Sequence, residues 1–264
     1  MSLTNLYKSQ QNPASEISTL VSSDRHSLLI EGPSGSGKTF LAKYFADLKG
    51  IADFQLVAPK VEDIKSAVDN CMKTNSLVVL CIENLDTGVK GASYSLLKFL
   101  EEPMSYVYIV VTCRNINRVP DTIISRSSVV TLGLPIDEDL CHYASSLYPN
   151  TFSKISDSKL WKCCRTFSDV DIVCKMSQDD LSYFNELDKL LSFNDSVSNI
   201  VWTLGHFQDN RETPINIVIQ YIMNNTLIPH IRKCGIECLN DINSGRIAKH
   251  TVLTKFAFEC KYVE

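Results

Sequence analysis

Two short stretches of this chain carry side chains suited to holding a phosphate chain. Gly32 to Thr39 reads GPSGSGKT, a Gly-x-x-x-x-Gly-Lys-Thr spacing. Its glycines let the backbone curl so that successive N–H groups point inward at phosphate oxygens. Gly32, Pro33, Ser34, Gly35, Ser36 and Gly37 form the cradle, Lys38 reaches the β- and γ-phosphates, and the Thr39 hydroxyl is a ligand for Mg²⁺. The second stretch, VVLCIENLD from Val78 to Asp86, is an apolar run that breaks on Glu83. It reads as a buried strand delivering a carboxylate to a site. Nucleotide-hydrolysing sites of this kind carry two acidic residues side by side at the break, and here Ile82 stands first.

These residues need a scaffold, and the surrounding sequence supplies one. Ser27 to Ile30 is strand-like and FLAKYFADL after the loop has helical spacing, so the motif sits in a strand–loop–helix context. A helix starting near Lys38 adds the positive end of its dipole. Val61 to Met72 places Ile64, Val68 and Cys71 on one helical face. Leu77 to Ile82 is apolar throughout, as strands buried on both faces tend to be. GASYSLLKFLEEP predicts a helix with Leu96, Leu97 and Leu100 inward, stopped by Pro103. Strands follow at Tyr106 to Thr112 and Val129 to Leu132. The alternation of strand and helix predicts a doubly wound parallel sheet.

From Ile136 onward the strand signals stop. Asp137 to Leu147, Asp157 to Phe167 and Ser168 to Met176 read as short helices that begin on Asp or Ser as N-caps. A polar stretch at Ser177 to Asp180 reads as a linker, and further helices punctuated by Pro214 and Pro229 fill residues 183–264. The expected division is an α/β nucleotide domain at 1–135, a small helical domain at 136–180 and an all-α C-terminal domain at 181–264.

A net charge of -4 and a pI near 5.8 argue against a protein that grips nucleic acid by bulk charge. The polar N-terminus lacks the apolar core of a signal peptide, and no apolar run approaches the ~20 residues that span a bilayer. The expectation is a soluble intracellular protein with no membrane partner. The cysteines form no Cys-x-x-Cys pair, and several sit inside apolar elements as buried thiols do in reducing compartments. His230, Cys234 and Cys238 are spaced four apart along one helical face. A core face ending in a histidine explains that spacing more simply than zinc.

Three blocks together resemble the AAA+ subunits of sliding-clamp loaders: replication factor C small subunits, the gamma and delta-prime subunits of bacterial DNA polymerase III, and phage equivalents. RHSLLIEGPSGSGKTFLAKYFA is similar to the family's opening block, and ASYSLLKFLEEP to its A-x-N-A-L-L-K-x-L-E-E-P signature. YVYIVVTCRNINRVPDTIISRSSVVTL is similar to the sensor-1 and Ser-Arg-Cys block, with Ser127 in place of the cysteine. The resemblance implies an AAA+ P-loop domain, a helical lid and a C-terminal collar. It also implies ATP and Mg²⁺ as cofactors, and sister AAA+ subunits, a sliding clamp and primer–template DNA as partners. Glu83 becomes the general base or water-orienting residue. Thr112 would sense the γ-phosphate or orient the attacking water. Arg126 becomes a finger that reaches the neighbouring subunit's ATP in trans. Lys90, Gly91 and Lys98 are the DNA-phosphate candidates, each equally well read as a solvated surface position.

The chain departs from the pattern in three places. Ile82 stands where the family has its metal-supporting Asp. Asp171, in FSDVD, replaces the sensor-2 arginine, so either the site differs or Asp171 turns away from the phosphates. The four-cysteine zinc module of the bacterial versions has no room in residues 49–76, which hold only Cys71. The short, zinc-free build suggests a streamlined loader such as a phage's, working in the host cytoplasm; a eukaryotic member would be nuclear. The expected function is a loader subunit that binds ATP and helps load the clamp, with slow hydrolysis. The alternatives are a stator-like scaffold that donates Arg126 and an independent AAA+ remodeller.

Overall fold

The computed structural model describes residues 6–22, 26–74, 76–88, 90–177, 215–226 and 229–244, with 181–182, 184–185, 187, 251–252, 254–256 and 259; the side chains of Thr74 and Lys90 fall outside this set. The described chain divides into two compact units, Met1–Asp139 and Leu140–Glu264.

The first unit is built on five parallel strands: β1 Ser27–Glu31, β2 Asp53–Val57, β3 Val78–Ile82, β4 Val107–Cys113 and β5 Ser128–Thr131, in the order β2-β3-β4-β1-β5. All pairings are parallel, so every strand delivers its C-terminal end to the same sheet edge. Helices α1 Lys8–Val21, α2 Lys38–Leu48, α3 Val61–Thr74, α4 Lys90–Glu101 and the single turn α5 Asp121–Ile124 surround the sheet. The order reverses direction at β1, and open α/β sheets bind ligands at the carboxyl ends of their strands near such a switch.

The alternation of side chains along the strands splits the core in two. Leu29, Leu80, Ile82, Ile109 and Val111 pack with Ile64, Val68 and Cys71 of α3 and Ala92, Leu96 and Leu100 of α4. Leu28, Ile30, Val79, Cys81 and Val110 pack on the opposite side with Ala14 and Ile17 of α1 and Leu41, Ala42, Tyr44 and Phe45 of α2. The apolar faces expected for α3 and α4 are therefore the ones that are buried, with Leu97 packed at the margin. Two elements are not marked by apolar runs. β2 is a half-exposed edge strand with one buried residue, Val57. α1 lies in the stretch that reads as merely polar. Its start is tied down from a distance, since the Lys8 and Ser9 amides both donate to the Asp139 carboxylate at 2.9 Å.

Helix α6 Asp137–Leu147, in which the division between the units falls, begins on Asp137 as expected, while the helix expected from Asp157 to Phe167 is absent. In its neighbourhood are α7 Pro149–Ile155, with proline at the first helical turn, and a 3₁₀ turn at Trp161–Cys163. The next helix, α8 Phe167–Lys175, starts one residue earlier than Ser168, because Thr166 is its N-cap. Thr166 Oγ1 accepts from the Asp169 amide, and the Asp169 carboxylate accepts from the Thr166 amide. Helices α9 Ile215–Asn225 and α10 Pro229–Ser244 complete the described unit. Asn216 of α9 donates to Asp169 at 2.8 Å, so segments on either side of residue 181 share hydrogen bonds. Most of residues 178–214 and 245–264, to which the sequence reading gave the linker and part of the collar, lie outside the described residues.

Ile82 has no exposed surface and belongs to the apolar cluster that β3 forms with α3 and α4. Its side chain turns toward α3 and α4, away from the phosphate-loop helix α2. A carboxylate there has no partner, so Ile82→Asp is expected to destabilise the fold by about 3–5 kcal/mol. Urea unfolding of parent and variant measures the loss.

Candidate functional site

The loop between β1 and α2 is shaped by sterics before any charge is considered. A Cβ on Gly32 would lie 2.6 Å from the Leu132 carbonyl oxygen, so only glycine lets the loop pass the chain leaving β5. Gly35 and Gly37 hold φ of 75° and 99°, the left-handed region that side chains disfavour. Gly37 is the N-cap of α2, which opens on Lys38 and presents its free N–H groups toward the loop.

Lys38 is almost fully buried. Its Nζ donates to the carbonyls of Gly32 at 2.9 Å and Pro33 at 2.8 Å. Burial lowers its pKa, and the nearby Arg114 guanidinium lowers it further, against the opposing pull of Asp86 and Glu83. The Lys38 ammonium is thus held by dipoles alone, without a salt bridge among the described residues. Arg114 follows directly on β4. Its Nε is buried with no hydrogen-bond partner among the described residues, and its backbone amide donates to Asp86 Oδ1 at 3.1 Å. Two cations in mutual repulsion beside the N-terminal end of α2 give this corner of the fold a positive character suited to an anion.

The carboxylate of this site is Glu83. Thr39 Oγ1 donates to Glu83 Oε1 at 3.0 Å, joining the residue after the conserved-spacing lysine to the end of β3. Alternation along β3 puts Glu83 on the same side as Cys81, toward α2, and Ile82 on the other. This corrects the expectation that Ile82 occupies the metal-side position: the carboxylate bonded to the threonine hydroxyl is Glu83 itself. The residue beside it is Asn84, at φ 47°, which carries an amide and no proton-accepting carboxylate. The donor set of Thr39 hydroxyl and Glu83 carboxylate fits a hard, oxygen-seeking cation such as Mg²⁺.

Thr112, in β4, is buried, and its hydroxyl accepts from the Asn84 amide at 2.9 Å. It fixes the turn that follows Glu83. Glu31 does the same for the turn after β4, accepting from the Ile116 amide at 2.9 Å. Arg114 was not singled out by the sequence reading, which stopped at Thr112. The signal available was an arginine immediately past an apolar strand, two residues after Thr112.

The other expected positions lie apart from the loop. Arg126 bonds within its own chain, to Glu101 Oε1 at 2.9 Å and to the Thr122 carbonyl at 2.9 Å. Both side chains are partly exposed, and such a pair contributes at most about 1 kcal/mol. Gly91 and Lys98 are exposed positions on α4, and the Lys90 side chain lies outside the described residues. Asp171 Oδ1 accepts from Tyr143 at 3.0 Å and Tyr148 at 2.8 Å. Burial raises the pKa of Tyr148, and its bond to Asp171 raises it further. Asp171 is therefore spent on two tyrosines of its own unit.

Residues 55–135 match the model of a family described as DNA polymerase III, delta subunit. The matched stretch runs from β2 past β5 and includes Glu83, Thr112, Arg114 and Arg126, but not the phosphate loop. Among solved structures, the chain is similar to a DNA polymerase III gamma-subunit-related protein from Thermotoga maritima. The identity is 15%, the TM-score is 0.56, and the match covers 94% of this chain and 98% of that one. At that identity the likeness shows the fold. No curated protein matches the chain. No helix among the described residues is long and apolar enough to cross a membrane.

Thr112→Val keeps the shape of the side chain and removes the acceptor of the Asn84 amide. It is expected to cost about 1–3 kcal/mol in urea unfolding, the penalty of a buried N–H left unpaired.

Proposed function

We propose that this chain is a subunit of a sliding-clamp loader that binds ATP and works with sister AAA+ subunits to place a clamp on primer–template DNA. The observation that carries this reading is the Thr39–Glu83 bond beside the buried Lys38, on a fold similar to a gamma-subunit-related protein. The family match over residues 55–135 supports the replication setting.

The loop amides of Ser34, Gly35 and Gly37 and the start of α2 hold the phosphates, with Pro33 shaping the turn, while the Gly32 and Ser36 amides donate to the Cys113 and Pro33 carbonyls and brace the loop. Lys38 leaves the Gly32 and Pro33 carbonyls for the β- and γ-phosphate oxygens. Thr39 is the direct Mg²⁺ ligand, and Glu83, through Thr39, orients the metal's outer shell. The bound Mg²⁺ supplies charge neutralisation of the phosphate oxygens. Arg114 adds a second cation in cis, in compensation for Asp171, and is the γ-phosphate contact of this site. Thr112 acts by holding the Asn84 turn. Arg126 releases Glu101 and reaches the ATP of a neighbouring subunit. Lys90, Gly91 and Lys98 on α4 face the DNA, and the C-terminal helices form the collar.

With Asn84 beside Glu83, no dedicated base stands next to the metal-side carboxylate. General-base assistance is worth about 10²–10⁴-fold, so ATP turnover at this site is slow. The same observation favours the stator-like reading as second choice, in which the subunit holds ATP and donates Arg126.

Lys38→Ala is expected to weaken ATP binding to the purified chain by roughly 30- to 160-fold, the loss of a charged hydrogen bond worth about 2–3 kcal/mol. Arg114→Ala weakens ATP binding while leaving ADP binding near the parent value. Unchanged ATP affinity in Lys38→Ala rules out the phosphate-loop reading. Co-purification with sister subunits and a clamp, with and without ATP, tests the assembly. Failure to join any such complex removes the loader assignment and leaves an ATP-binding protein of another kind.

A further inference from the structure

α10 carries a second cluster of chemistry-bearing side chains, in the helical unit. His230 and Cys234 lie one turn apart on the same face, with Cys234 Sγ 3.3 Å from His230 Nε2. Glu259, from the C-terminal segment, brings a carboxylate to the pair. The three ligand atoms lie within 4.8 Å of one another, and this is the one such group among the described residues. Helical spacing alone offered Cys238 as the third member, but Cys238 is fully buried and stands outside the group.

We propose that His230, Cys234 and Glu259 form a zinc site, with a water or a partner's side chain in the fourth position. Tetrahedral zinc with sulfur at about 2.3 Å and nitrogen at about 2.0 Å separates those two ligands by roughly 3.5 Å. The observed 3.3 Å is that edge in all but detail. The Glu259 oxygen already lies within 4.8 Å of both. The donor set also favours zinc: thiolate and imidazole are borderline-soft ligands, and a carboxylate completes a charge that a divalent ion offsets. Cys234 is buried, while His230 is exposed and leaves an approach for the ion.

The supporting helix is held firmly. Arg232 Nε and Nη2 donate to the Thr226 carbonyl at 3.0 and 2.7 Å, fixing the start of α10. Gly235, next to Cys234, packs directly against the Met223 side chain of α9, so an added Cβ would force that side chain to move. With the helix anchored on both sides, two ligands are preorganised. The ion then fastens the C-terminal segment to α10 through Glu259. This site is independent of the phosphate loop and of the loader reading.

The test uses the full chain, stripped with chelator and titrated with zinc, and with cobalt as a spectroscopic reporter. The parent is expected to retain one zinc per chain through gel filtration. With cobalt it should show a thiolate-to-metal charge-transfer band and the intense visible bands of a tetrahedral centre. Cys234→Ser removes the charge-transfer band, Cys238→Ser leaves it, and His230→Gln and Glu259→Gln each weaken zinc binding by more than about 100-fold, beyond the cost of losing an outer-shell partner. Glu259→Gln is near-isosteric and partly exposed, so it keeps the test valid where Cys234→Ser disturbs packing. Substoichiometric zinc in the parent, a band that survives Cys234→Ser, or full affinity in Glu259→Gln overturns the proposal.

Discussion

A parallel strand turns successive side chains to opposite faces of its sheet, and in this protein that constraint decides which groups meet at the site. β3 ends with Cys81 toward α2, Ile82 toward α3 and α4, and Glu83 toward α2 again. One face therefore receives the carboxylate and the other the fully buried Ile82 side chain. Because β4 lies beside β3 in parallel register, Thr112 emerges on the same face and accepts the amide that follows Glu83. A one-residue slip of β3 would exchange Glu83 for Ile82 at the phosphate loop and bury a carboxylate among leucines. The two core layers and the site are thus held by a single register.

The electrostatics of the site follow from what that register collects. The Lys38 ammonium is repelled by the Arg114 guanidinium and attracted by Asp86 and Glu83. Lys38, buried and bonded only to carbonyl dipoles, carries a desolvation cost that a nearby anion would offset. Glu83 is drawn to Thr39 instead of to Lys38, which leaves the lysine directed at the loop. The thiols that line the neighbouring strands take no part, since burial pushes both Cys81 and Cys113 up to about 12.

The helical unit uses its acids differently. Asp169 is buried, caps α8, accepts the Arg165 and Thr166 amides, and receives Asn216 of α9. Asp171, two residues on, is held by Tyr143 and Tyr148, with Lys175 alongside. An acid at that position looks like a defect when it is judged as a missing phosphate contact. Among the tyrosines it is a structural acceptor.

What the residue order determined by itself was local. GPSGSGKT implied the curled loop between β1 and α2, because glycine spacing dictates backbone curvature within eight residues. The apolar runs of β3 and β4 and the helical faces of α3 and α4 were legible because burial imposes their periodicity. β2, α1 and α7 were not legible, since an edge strand, a helix capped by the distant Asp139, and a short helix opened by Pro149 need no long apolar stripe. Which of Ile82 and Glu83 meets Thr39, that Arg114 stands beside Lys38, and that Glu259 joins His230 and Cys234 were all decided by tertiary structure. Each depends on strand register or on segments far apart in the chain meeting in space, and neither is encoded in the spacing of neighbouring residues.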